Sequence, residues 1–136
     1  MTAGYSGTPL VKKIGLKPGF LVALADAPDN FLRELSPLPE NLTIVTGGKG
    51  ELDCVILFAH TARTLESRFK RWAGRLKPAG MLWVAWPKKA SKVETNVTDA
   101  VVRSTGLATG LVDVKVCAIN DVWSGLKFVR RLKDRN

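Results

Sequence analysis

Three runs of the chain, Phe20 to Ala25, Asp53 to Ala59 and Met81 to Trp86, are apolar almost throughout and have the length of strands. A strand without a polar face is covered on both sides, so the pattern predicts the centre of a parallel sheet with helices above and below it. Between the second and third runs, Leu65, Phe69, Trp72 and Leu76 trace one apolar stripe of a helix that starts after Thr61. Its opposite side carries Arg63, Arg68, Arg71 and Arg75. Shorter helices are expected from Pro9 to Ile14, with Thr8 as cap and Gly15 as stop, and from Pro28 to Leu35 before Pro37 and Pro39. Thr98 caps another, carrying Val101, Val102 and Leu107.

Leu42 to Val45 reads as a short strand, and Val112 to Ile119 with Leu126 to Arg131 as two more, joined by the loop Asn120 to Gly125 into a hairpin. Leu16 to Gly19 and Leu76 to Gly80 are similar in sequence and suggest one helix-to-strand connection used twice. Strands alternating with helices imply a single three-layer, Rossmann-like α/β domain. Its sheet is expected to have about six strands, mostly parallel, with an antiparallel C-terminal hairpin. One junction is tight. Residues 46–52 must return over roughly 20 Å, where seven extended residues reach about 24 Å. If that segment is instead a simple hairpin, Leu42 to Val45 runs antiparallel at the sheet edge.

The length of 136 residues suits one packed domain, and no apolar run reaches the roughly 18 residues of a membrane span. Met1 to Gly7 lacks a basic stretch followed by an apolar core, so a cytoplasmic protein is expected. Cys54 and Cys117, far apart and inside hydrophobic runs, read as buried free thiols. Charge changes the picture more. Residues 1–60 carry five Lys or Arg against six Asp or Glu, and residues 61–136 carry sixteen against six, so the halves bear −1 and +10. Such a field favours anionic partners in a salt-dependent way, although a basic surface also serves solubility alone.

The element order, the Leu-Lys-Pro-Gly lead into the first strand, Leu52 to Leu57, Leu76 to Gly80 and the closing hairpin together resemble class I S-adenosylmethionine-dependent methyltransferases. More closely, Tyr5 to Gly15, Leu82 to Lys88, Leu111 to Ala118 and Trp123 to Lys127 are similar to a family of small bacterial proteins classed as domain of unknown function 3052. The resemblance implies the methyltransferase-like architecture and brings no activity with it. Three departures from the methyltransferase pattern count against methyl transfer. The glycines spaced GxGxG after the first strand are replaced by Asp26, Pro28 and Asn30, whose side chains fill space and, for proline, remove an N–H donor. Thr46 or Gly47 stands where a carboxylate holds the ribose, and the segment for a third strand is missing.

Ligands of a parallel sheet sit beyond the carboxyl ends of its strands. That edge gathers Asp26, Asp29, Gly47 to Gly50, His60, Trp86 to Lys92 and Asn120 to Ser124, with Tyr5 and Ser6 expected near it. Lys88, Lys89 and Lys92 supply charge for an anion, and Trp86 a stacking face. Asp26, His60, Asp121 and Trp123 complete the expected ligand-binding set. Each has a plainer explanation: solvated lysines, helix capping by Asp26 and Asp29, a surface histidine, and a tryptophan packed under the hairpin. Gly47 to Gly50 lacks the spacing and following helix of a phosphate loop.

The expectation is a binding module without catalytic residue, cofactor or metal, for an anionic small molecule or acidic macromolecule, and with no membrane partner. Two other readings stay open. One is an enzyme with His60 as base on a phosphorylated or carboxylated substrate. The other is an RNA binder using the arginine face of the long helix, without a known recognition motif.

Overall fold

β1 (Leu21–Ala25), β3 (Leu52–Phe58) and β4 (Leu76–Pro87) are the three apolar runs, and they lie side by side in parallel at the centre of a six-stranded sheet. The computed structural model describes residues 8–135. β2 (Thr43–Val45) pairs in parallel with β1 at one edge. β6 (Trp123–Arg130) and β5 (Leu111–Ala118) are added antiparallel at the other, giving the order β2-β1-β3-β4-β6-β5. α1 (Leu10–Ile14) and α2 (Phe31–Leu35) cover one face; α3 (Ala62–Ala73) and α4 (Asp99–Ala108) cover the other.

The sheet divides the interior into two cores, as strands apolar on both faces require. Val22, Leu24, Ile56, Phe58, Trp83 and Ala85 face α1 and α2, while Ala23, Val55, Leu57, Leu82, Val84 and Trp86 face α3 and α4. Alternation along each strand assigns neighbouring residues to opposite cores. Trp83 is fully buried and its indole N–H donates to the Ile14 carbonyl at 3.0 Å, tying the centre of the sheet to the end of α1. Both cysteines are free; Cys54 is buried and Cys117 half-buried, and burial pushes both thiols up from their ordinary range.

Local chemistry fixes the helix ends. Pro9, expected inside the first helix, is its cap: its extended backbone presents the carbonyl to Lys12 and Lys13 N–H. Gly15, with φ 91°, closes that helix in the left-handed conformation open to glycine. The Thr61 and Thr98 hydroxyls accept from Thr64 and Val101 N–H and open α3 and α4. α2 is shorter than expected, because the chain from Pro28 first makes a turn in which Phe31 N–H reaches the Pro28 carbonyl. Nor is one connection used twice: Lys17 to Phe20 is a turn, whereas Lys77 to Gly80 bulges out of β4, between the pairings Leu52 with Leu76 and Cys54 with Met81.

The tight junction resolves in favour of the parallel strand. Val45 lies level with Ala23, and Ala23 with Val55, so the chain steps back only three residues to reach Leu52. That is about 10 Å along the sheet and about 10 Å across two strand spacings. β2 ends early enough for residues 46–51 to make the crossing without a helix. Arg75 clips this crossover, donating from Nε to the Gly50 carbonyl at 2.9 Å and from Nη1 to the Gly47 carbonyl at 3.2 Å. Arg75→Ala is expected to cost about 1–2 kcal/mol in urea unfolding, since two carbonyls lose a charged donor; an unchanged midpoint would show the clip to be idle.

Candidate functional site

Asp26 ends β1 with φ 59°, a left-handed backbone that aspartate and asparagine tolerate better than other non-glycine residues. The turn thus keeps a glycine-like conformation while adding a side chain, which the sequence alone did not foretell. The Asp26 carboxylate is ion-paired with the Arg68 guanidinium of α3, the two side chains 43% and 46% exposed. It therefore lies across the strand ends toward α3 and does not cap α2. Asp29 does not cap it either, because the cap residue is Asn30 and makes no side-chain cap bond.

Two hollows flank Asp26. On the α2 side, about 450 Å³ is lined by Leu24, Asp26, Pro28, Asp29, Ile44 and Thr46 among others, with two carboxylates and no cation. On the α3 side, about 250 Å³ is bounded by Asp26, Thr46, Gly47, Gly48, the α3 side chains Arg68, Arg71 and Trp72, and Arg75 in the turn that follows α3. Residues 68, 71 and 72 share one face of α3 by their spacing, and Arg75, expected on the same helix, follows its end at Ala73. Trp72 borders both this hollow and the core, with the Arg75 guanidinium 5.3 Å from its ring centre. The Arg71 guanidinium forms no ion pair or hydrogen bond among the described residues.

The other expected site residues gather at the far end of the same edge. His60 follows β3, exposed, with its ring edge-on to Trp123 at 5.0 Å and its carbonyl accepting from the Thr95 hydroxyl at 2.5 Å. It shares a hollow of about 440 Å³ with Thr61, Glu94, Thr95 and Asn96. Trp123 is 6% exposed and packs edge-on against Phe58 at 4.9 Å, so it is mainly a core residue touched by His60. Trp86 presents no stacking face: only 7% of it is exposed, and it belongs to the core under α3 and α4 with Ala59 and Val97. Alternation along β4 turns it inward, a consequence of strand geometry that outweighs its place next to the lysines.

Lys88 N–H donates to the Val122 carbonyl at 2.7 Å, which brings the lysine turn beside the hairpin turn. Residues Lys89–Ser91 form a single 3-10 turn; Lys89 and Lys92 are exposed and Lys88 half-buried. Asp121 is exposed at the hairpin tip, while Asn120 holds that tip by accepting from Val122 and Trp123 N–H and donating to Glu34 of α2. Tyr5 and Ser6 lie outside the described residues. His60, Trp123 and the lysine turn are thus brought into one neighbourhood, and Asp26 stands apart with the arginines. Among the described residues no three His, Cys, Asp or Glu side chains gather as a metal ligand set, and no helix is long and apolar enough to cross a membrane.

No protein-family profile and no curated protein sequence matches the chain. Among solved structures it is similar to magnesium protoporphyrin IX methyltransferase from Synechocystis PCC 6803 with bound SAM, at TM-score 0.60 and 12% identity over 90% of this chain and 74% of that one. It is also similar to a SAM-dependent methyltransferase from Aquifex aeolicus, at TM-score 0.56 and 13% identity over 88% and 86% of the two chains. An O-methyltransferase from neocarzinostatin biosynthesis reaches TM-score 0.64 and 13% identity over 95% of this chain and 51% of its own. At such identities the likeness shows the fold, which is methyltransferase-like, and nothing about the reaction.

Proposed function

We propose that this methyltransferase-like domain transfers no methyl group and works as a binding module for an anionic partner at the carboxyl edge of its sheet. The observation that carries the reading is the turn after β1. A cofactor bound there needs bare backbone against it, and Asp26 instead puts a carboxylate and its Arg68 partner across the strand ends. Pro28 removes a further backbone donor. At the end of β2 the exposed Thr46 offers a hydroxyl where a ribose diol would need a carboxylate. These residues do not fit S-adenosylmethionine. No family profile bears out the resemblance to domain of unknown function 3052, so the reading rests on the turn after β1.

The positive half of the chain supplies the edge with Lys88, Lys89 and Lys92 on one side of His60 and the α3 arginines on the other. This favours a small anion over a nucleic acid, because Arg68 and Arg75 are already engaged with Asp26 and with the crossover carbonyls. A thermal-shift comparison tests the proposal. S-adenosylmethionine at about 1 mM is expected to leave the melting temperature unchanged, while an anionic ligand at a hundredfold excess over its Kd adds about 2.7 kcal/mol to stability. A clear upward shift with S-adenosylmethionine would reject the reading.

A further inference from the structure

β1 turns two small side chains, Ala23 and Ala25, toward the α3 side of the sheet, and the crossover from β2 to β3 places no helix over them. The space is closed instead by residues 46–51 and by the arginine face of α3. The result is the 250 Å³ hollow beside the strand ends, and its charge is unbalanced: three guanidinium groups of Arg68, Arg71 and Arg75 face one carboxylate, Asp26, leaving +2. The N–H group of Gly47 on its rim donates to no group among the described residues. The volume falls below the roughly 300–1,000 Å³ of pockets that engulf a whole drug-sized ligand. It suits one compact, doubly charged group with several acceptor oxygens, and Arg71 is a fork of donors with nothing to hold.

Resting on the anion-binding reading above, we infer that this hollow seats a phosphomonoester dianion, with Arg71 as its principal ligand and the Gly47 amide as a further donor. A phosphomonoester carries about −1.5 to −2 at neutral pH, which matches the local excess. The ion pair with Asp26 holds the Arg68 guanidinium at the wall of the hollow before a ligand arrives, which lowers the side-chain ordering that binding requires. The lysine turn lies at the other end of the edge, beside the hairpin.

Calorimetric titration of the full chain at low salt with inorganic phosphate, adenosine monophosphate and S-adenosylmethionine tests this. Both phosphates should bind the unaltered chain. Arg71→Ala should weaken both by roughly tenfold or more, the loss expected for a charge-assisted hydrogen-bonding partner. Its melting temperature should stay unchanged, because Arg71 holds nothing in the fold. Lys133→Ala, a charge-matched control in the C-terminal 3-10 turn, should bind as well as the unaltered chain. Tighter binding of the nucleotide would assign a nucleotide ligand and equal binding a bare phosphate head; both support the hollow. Phosphate binding untouched by Arg71→Ala, or weakened as much by Lys133→Ala, would overturn the inference and leave the wider reading standing, as would no phosphate binding at about 10 mM. Micromolar binding of S-adenosylmethionine would instead overturn the wider reading.

Discussion

Gly106→Ala should destabilise the domain by about 2 kcal/mol, and Gly106→Val by more, the size of effect that overpacking a filled core produces. The expectation runs against helix propensity, which favours alanine over glycine in a helix interior by about 1 kcal/mol. Packing decides the sign. Gly106 sits buried in α4, and a Cβ there would stand 2.0 Å from a ring carbon of Phe128. That ring is fully buried and braced edge-on against Phe69 at 5.3 Å, so it has nowhere to swing. α4 would have to lift from the sheet. Urea unfolding of the two variants gives the measurement; an alanine variant more stable than the parent would show that α4 is not seated as described.

Trp83→Ala should cost about 3–5 kcal/mol, a large share of the whole stability of a domain of this kind. Trp83 is among the largest fully buried side chains, and removing it leaves a cavity against Gly125 and the end of α1. The Ile14 carbonyl also loses the indole N–H it accepts. Trp83→Phe separates the two effects: it keeps most of the packing, gives up the hydrogen bond, and should cost about 1–2 kcal/mol, the price of an unpaired buried acceptor. Equal losses for the two variants would mean that the hydrogen bond, and not the packing, holds α1 to the sheet.

The central strands and α3 were legible because continuous apolar runs and a regular stripe translate directly into strands covered on both faces and an amphipathic helix. The start of β4 was not. Lys77, Pro78, Ala79 and Gly80 have the composition of a turn, and only pairing with β3 reveals them as a bulge within a strand. Leu107, an apolar position of α4 by sequence, is 48% exposed, while Gly106 beside it faces the core; a glycine carries no hydrophobic signal, so periodicity passes over it.

The site was legible in part. Asp26, His60 and the lysine turn do stand at the carboxyl edge, as strand order requires. The arginine hollow was hidden, although its spacing of residues 68, 71 and 75 is in the sequence. It depends on the register that sets Thr46 near Asp26 and on the absence of a helix between β2 and β3, neither of which composition reports.

Amide chemical shifts of the turn after β1, followed as S-adenosylmethionine is added to the isotopically labelled full chain, bear most directly on the reading of that turn as closed. The expected result is that residues 26–30 and 46–48 do not move at millimolar concentration. Saturable shifts there with micromolar affinity would contradict it, because the cofactor would then be lying where the Asp26 and Arg68 side chains meet.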